Sequence, residues 1–143
     1  MIPIEDLRVS YEKIANDQKL GEDIWLGLSI LNLRKQPLQL GYRGAIRIIL
    51  AKFRANPFSS FGYFQEGKKD LELAIALAPN EAELRHLRLS IQFKAPALLG
   101  YQSDLKADKA FLRSTYSRIT DKQLAQLICD FWSKELGESL HAD

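Results

Sequence analysis

NPFSSFGYFQEGKKDLELAIALAPNEAELRHLRLSIQFKAPALLGY, residues 56–101, decides the fold, because it combines the sharpest apolar period in the chain with the clearest helix stops. Between Pro57 and Pro79, the residues Phe61, Phe64, Gly67, Leu71, Ala74, Ile75 and Ala78 recur at spacings of three and four, the period of one helix face. That face is apolar and carries small residues, which predicts a helix lying tightly against a neighbour. Asn56 and Pro57 read as an N-cap followed by a first-turn proline. After Pro79, Asn80 and Glu83 have the spacing of a capping box opening a helix from Glu81 to about Phe93. Its apolar residues fall on two sides, Leu84, Leu87 and Ile91 on one and Leu89 with Phe93 on the other. Lys94 to Gln102 then breaks the pattern with Pro96 and Gly100, and Leu98, Leu99 and Tyr101 are expected to plug the core.

Upstream, Ile4, Leu7, Tyr11, Ile14 and Ala15 form one stripe that begins after Pro3 and ends near Gly21. Glu22 to Leu33 starts with acidic residues and is apolar nearly all round, the pattern of a buried helix. Leu26, Leu28 and Ile30 also alternate as a strand does, but no second strand pattern exists to pair with them. Leu38 to Arg54 carries Tyr42, Ile46, Ile49, Leu50 and Phe53 on one face, with Gly41 and Gly44 suited to a close helix approach. Downstream, Ser103 is expected to cap a helix aligning Leu105, Leu112 and Tyr116, flanked by Phe111. Thr120 with Gln123 marks the start of a last helix burying Leu124, Leu127, Ile128 and Phe131 and stopping at Gly137, beyond which residues 138–143 are expected to fray. Six to seven helices with short connections give an all-α fold of stacked antiparallel helical hairpins, expected to form one domain over residues 1–143.

Gly67, Leu71, Ala74 and Pro79 stand at the offsets at which the second helix of a tetratricopeptide repeat carries a small residue, a bulky one, an alanine and a closing proline. This half-repeat resembles that family, and Trp25, Leu28 and Ser29 echo the start of its first helix. No 34-residue self-similarity extends it along the chain. The longer run from YRGAIRIILAKFRANPF through LRLSIQFKAPALLGY to DKAFL, about half of the chain, resembles an uncharacterised family of small bacterial proteins that share a similar string. These resemblances imply a tetratricopeptide-like solenoid or bundle without an assigned activity; tetratricopeptide domains generally bind peptides or proteins in a concave groove.

The 143 residues are 46% hydrophobic and carry 20 basic against 18 acidic side chains, so no blanket attraction to nucleic acid or anionic lipid follows from the total. The distribution is less even. Between Asp23 and Glu66 there is no acid, while Arg34, Lys35, Arg43, Arg47, Lys52 and Arg54 all fall there. On a helix Arg43, Arg47 and Arg54 project within about 40° of one another, a stripe able to grip a peptide carboxylate or phosphate. The competing reading solvates them or pairs them with acids of a neighbouring helix such as Glu66, Asp70 and Glu72. Nucleic acid is a third reading, supported by no motif. Arg85 and Arg88, with Gln92 on the same flank, either extend that groove or form the wet side of their helix.

A small-ligand or catalytic site is placed, as the alternative function, around Arg85, Gln92, Tyr101 and Asp104. One cysteine excludes an intrachain disulfide, and two histidines leave too few ligands for a Cys/His metal site, so neither metal nor cofactor is expected. Cys129 has no histidine near it and an acidic neighbour, Asp130, which fits an inert thiol. Glu66 and Asp70, with Lys68 and Lys69 between them, read as a charged face. Gly67-Lys68 is followed by Lys69, which rules out a phosphate loop. Trp25 and Trp132 are expected as core or interface anchors. No apolar stretch reaches membrane-spanning length, and MIPIEDLRVS lacks the basic-then-apolar order of a signal peptide. The expected location is therefore the cytoplasm, although a periplasmic form with its leader removed leaves the same trace. The expectation is a non-enzymatic interaction module whose partner is a protein or peptide, acidic if the arginines meet it, or a second copy of the chain.

Overall fold

A computed structural model describes residues 2–96 and 99–140. Among these residues seven α-helices follow one another: α1 (Ile4–Ile14), α2 (Gln18–Ser29), α3 (Pro37–Leu50), α4 (Pro57–Leu77), α5 (Ala82–Lys94), α6 (Leu105–Thr115) and α7 (Lys122–Phe131). No strand occurs among the described residues, so the chain is all-α. Contacts gather the helices into two compact units, Met1–Leu84 and Arg85–Asp143, with the division inside α5.

In the first unit α3 is the central helix, packed against α1, α2 and α4. Leu40, Gly41, Tyr42, Gly44, Ala45, Ile46 and Leu50 are all buried on it. It runs antiparallel to α4: Gly41 faces Ala74, Gly44 faces Gly67, and Ser60 Oγ donates to the Ala51 carbonyl at 2.9 Å. The two glycines let the helix backbones touch, since a Cβ on Gly44 would lie 2.5 Å from Gly67 O and 2.6 Å from Leu71 N. This is the close approach for which Gly44 and Gly67 are suited. Phe64, Leu71, Ala74 and Ile75 are buried along the same seam. Asn56 caps α4 as its sequence predicts, its side chain accepting from the backbone N of Phe58 at 2.8 Å and of Ser59 at 3.2 Å.

Several expectations are corrected. The break between α1 and α2 lies at Asn16 and Asp17, not near Gly21, because the Asp17 carboxylate caps α2 by accepting from Leu20 N at 3.1 Å. Gly21 sits in the first turn of α2, against Ile14 and Leu50. The second helix is not buried all round: only Gly21 and Leu28 are buried on it, while Leu26 and Ile30 are exposed by 61% and 81%. Phe61, assigned to the buried face of α4, is 50% exposed. Glu83 does not return to Asn80 in a capping box, because its carboxylate is drawn inward to Arg8 and Tyr42.

In the second unit α5 and α6 run antiparallel, with Arg88 opposite Asp108 and Gln92 opposite Asp104. Leu87, Leu89, Ile91, Tyr101, Leu112, Leu124, Ile128, Phe131 and Trp132 form its core. Asp104, not Ser103, precedes α6, and its side chain turns to Gln92 instead of capping. Asp121 caps α7 in place of Thr120, accepting from Leu124 N at 3.2 Å. A single π-type turn, Trp132–Leu136, ends at Gly137 in the left-handed region (φ +66°), the predicted stop. Beyond it Glu138 is tied down rather than frayed, accepting from Lys109 and Arg113 at 2.7 Å each, and Leu140 is buried. Leu98 of the predicted core plug, His141 and the rest of the tail lie outside the described residues; Leu99 is half-buried.

Candidate functional site

The arginines singled out by their spacing are engaged within the chain. Arg43 forks onto Asp70 of α4, Nε to Oδ2 at 2.7 Å and Nη2 to Oδ1 at 3.2 Å, and its Nη1 reaches the Leu28 and Leu31 carbonyls at 3.4 Å. Arg47 donates to Glu66 at 3.0 Å. Its guanidinium lies between two aromatic faces, 3.8 Å from the Trp25 centroid and 3.6 Å from that of Tyr63. Helices α2, α3 and α4 are thus pinned at one level by a cation between two rings. Arg54 donates to Ser59 Oγ at 3.0 Å and lies over Tyr63 at 5.1 Å, and it has no carboxylate partner among the described residues. The stripe divides accordingly: Arg43 and Arg47 clamp α4, and Arg54 stays at the surface.

Arg85 and Arg88 converge on Asp108, which is fully buried. Arg88 forks onto it, Nε to Oδ2 at 2.8 Å and Nη2 to Oδ1 at 2.9 Å, and Arg85 Nη1 reaches Oδ1 at 3.1 Å. Gln92 and Asp104 bond reciprocally: the Gln92 amide donates to Asp104 Oδ2 at 2.9 Å, and Asp104 N donates to Gln92 Oε1 at 3.0 Å. Tyr101 is buried. Three residues of the alternative ligand site therefore belong to a clasp between α5 and the start of α6, in which Gln92 and Asp104 bond each other, Arg88 lies 3.7 Å from Asp104 Oδ1, and Arg85 holds Asp108.

The spacing argument missed a second buried cluster. Arg8 forks onto Glu83, Nε to Oε2 at 2.8 Å and Nη2 to Oε1 at 2.6 Å, and the Tyr42 hydroxyl donates to the same carboxylate. All three side chains are buried, Glu83 completely. Burial, with the negative charge of Glu83 beside it, pushes the Tyr42 phenol far above its ordinary range, so it remains a donor. A signal for both clusters was present: Arg8 stands on the stripe Ile4, Arg8, Tyr11, Ala15, and Asp108 on the stripe Leu105, Asp108, Leu112. A lone charge inside an apolar stripe implies a buried counter-charge.

His86 is buried edge-on against Phe131, with centroids 5.5 Å apart. Burial, helped by the charge of Lys94, pushes its imidazole down to about 4, which keeps it neutral at pH 7. Its Nδ1 and the Trp132 Nε1 meet no hydrogen-bond partner among the described residues. No group of three or more His, Cys, Asp or Glu side chains is arranged to hold a metal among those residues. Nor is any helix among them long and apolar enough to cross a membrane.

Large apolar side chains on the outer faces of the first unit stand apart from this internal pairing. Phe58 is 89% exposed in the first turn of α4, with Phe61 one turn on; Leu26 in the last turn of α2 and Ile30, the residue that ends it, are exposed likewise. Each pair borders an exposed helical glycine, Gly62 and Gly27, at which an added Cβ meets nothing within 4 Å. No protein-family model, no curated protein and no solved structure matches the chain.

Proposed function

We propose that the chain is a non-enzymatic protein–protein interaction module, a tetratricopeptide-like stack of antiparallel helical hairpins acting as a scaffold or adaptor. The observation that carries this reading is the outward display of Phe58 and Phe61 on α4 and of Leu26 and Ile30 at the C-terminal end of α2, beside inner faces that are already filled. Large exposed apolar groups held on or directly beside rigid helices are the anchors from which interfaces are built. The hairpin geometry of α3 and α4 supports the tetratricopeptide comparison, since Gly67, Leu71 and Ala74 bury against α3 at the offsets the resemblance names.

Within this reading Arg43 and Arg47 set the shape of the surface, and Arg54 contributes charge to it. The clasp of Arg85, Arg88 and Gln92 with Asp104 and Asp108 holds α5 to α6, because its polar groups face one another. The test places a photo-crosslinking amino acid at Phe58, at Ile30 and, as a control, at exposed Lys134 of the full chain in the cells that make it. Discrete adducts at Phe58 or Ile30 and none at Lys134 are expected. Absence of adducts at both apolar positions refutes the reading.

A further inference from the structure

The outward face of α4 has a chemistry that selects among partners. Phe58, Phe61, Gly62, Gln65 and Lys69 all lie exposed, and at 100° per residue they fall within about 100° of one another. They make a straight stripe about 16 Å long, which matches three turns of an opposing helix. Its middle is apolar and has no side chain at Gly62. Its ends are basic: Lys69 closes one, and at the other Arg54 lies beside Ser59, the residue after Phe58. No acid occurs between Asp23 and Glu66; Glu66, on the flank of the stripe, is tied to Arg47, and half-buried Glu72, one turn beyond Lys69 on the same face, is itself engaged within the chain.

We infer that this face docks an acidic amphipathic helix of another protein, whose apolar stripe seats on Phe58 and Phe61 across Gly62 and whose flanking carboxylates meet Arg54 and Lys69. This rests on the interaction-module reading and names the partner's chemistry. Charge decides against a second copy of the chain. Pairing two such faces antiparallel about Gly62 brings Lys69 of one copy to the Arg54 end of the other, and pairing them parallel sets Lys69 against Lys69. Like charges meet either way, whereas an acidic helix satisfies both ends. Gly62 decides against a lipid surface. Lipid insertion gains from bulk at that position, while a missing side chain favours a backbone that must come close. The fold shows the same device inside, where Gly44 and Gly67 let α3 and α4 touch.

The test is a displayed library of amphipathic helices about 18 residues long, with leucines fixed along one face and the flanks randomised, panned against the full chain. The expected winners carry Asp and Glu at the flanks and lose affinity as salt rises. They also weaken about tenfold or more against Phe58→Ser/Phe61→Ser and against Gly62→Leu. Both variants alter only exposed positions, and their thermal unfolding is recorded alongside. Winners with neutral or basic flanks, winners that bind the double serine variant unchanged, or no winners at all overturn the inference. So does a concentration-dependent dimer, or binding to anionic vesicles, that the double substitution abolishes. The crosslinking experiment separates the two claims: adducts at Ile30 without adducts at Phe58 remove this placement and leave the interaction module standing, while none at either removes both.

Discussion

Substituting alanine at Gly67 and at Gly62, on the same helix, should move stability in opposite directions. Both changes raise helix propensity, by about 1 kcal/mol each. At Gly62 a Cβ meets nothing within 4 Å, so Gly62→Ala should stabilise by roughly that amount. At Gly67 the new carbon collides with the Gly44 carbonyl oxygen and stands 2.7 Å from Ile48 Cγ1 and 2.8 Å from Ile48 N. Two of these atoms are backbone and cannot rotate aside, so α3 and α4 must separate by a sizeable fraction of an ångström, loosening Phe64, Leu71 and Ala74 as well. Overpacking of this kind costs about 3 kcal/mol or more, leaving Gly67→Ala a net loss of about 2 kcal/mol and a gap of about 3 kcal/mol between the variants. Urea unfolding read by circular dichroism measures that gap through the midpoints, provided the slopes agree. Equal midpoints for Gly67→Ala and wild type would refute the backbone contact and, with it, the antiparallel register of α3 on α4.

Other outcomes follow from the buried groups. Glu83→Gln removes the fully buried charge onto which Arg8 forks and should cost about 3–5 kcal/mol in denaturant unfolding, whereas Tyr42→Phe removes one hydrogen bond and should cost about 1–2 kcal/mol. His86 lies at about 4 folded against 6.5 unfolded, so protons favour the unfolded chain. Its contribution is fully present above pH 6.5 and is lost as pH falls to 4, by about 3 kcal/mol in all; His86→Phe should remove that part of the pH slope. Asp108→Asn should loosen α5 from α6 and raise amide exchange along Leu105–Thr115 while leaving α3 and α4 protected, and uniform deprotection across both would contradict a local clasp. Arg47→Lys keeps the charge but loses the planar stack between Trp25 and Tyr63, a cost of about 1 kcal/mol that should appear as a lower midpoint in urea unfolding relative to wild type.

Helix class and most boundaries were legible because they depend on local signals. The Asn56–Pro57 cap, the Gly137 stop and the small residues at 44 and 67 each act within a turn or across one seam, and each is where its chemistry predicts. Legibility stopped where one residue had two competing uses. Glu83 fits a capping box by spacing, yet a buried Arg8 far away in the chain outbids a surface amide. Asp17 and Asp121 displaced the predicted Gly21 break and Thr120 start because a carboxylate accepts backbone N–H groups more strongly than the alternatives. The arginine stripe gave way to its competing reading: Arg43 and Arg47 pair with Asp70 and Glu66, two of the acids that reading named, while Arg54 falls beyond α3 in extended backbone, because a helical period holds only as far as the helix runs. A period also describes one helix alone, so the apolar one could not separate Phe61, which looks outward, from Phe64, which looks in.

The Arg8–Glu83 pair also sets an order of events in time. The partners are 75 positions apart, and at roughly 5–20 residues per second of translation the arginine is made about 4–15 s before its carboxylate. During that interval helices α1 to α4 can assemble around a guanidinium that still keeps its water, and the seam dehydrates only when Glu83 arrives. Completion of the first unit is thereby coupled to the opening turn of α5, so a nascent chain halted before that turn would hold a hydrated, loosely closed bundle that quality-control proteases can tell from the finished one.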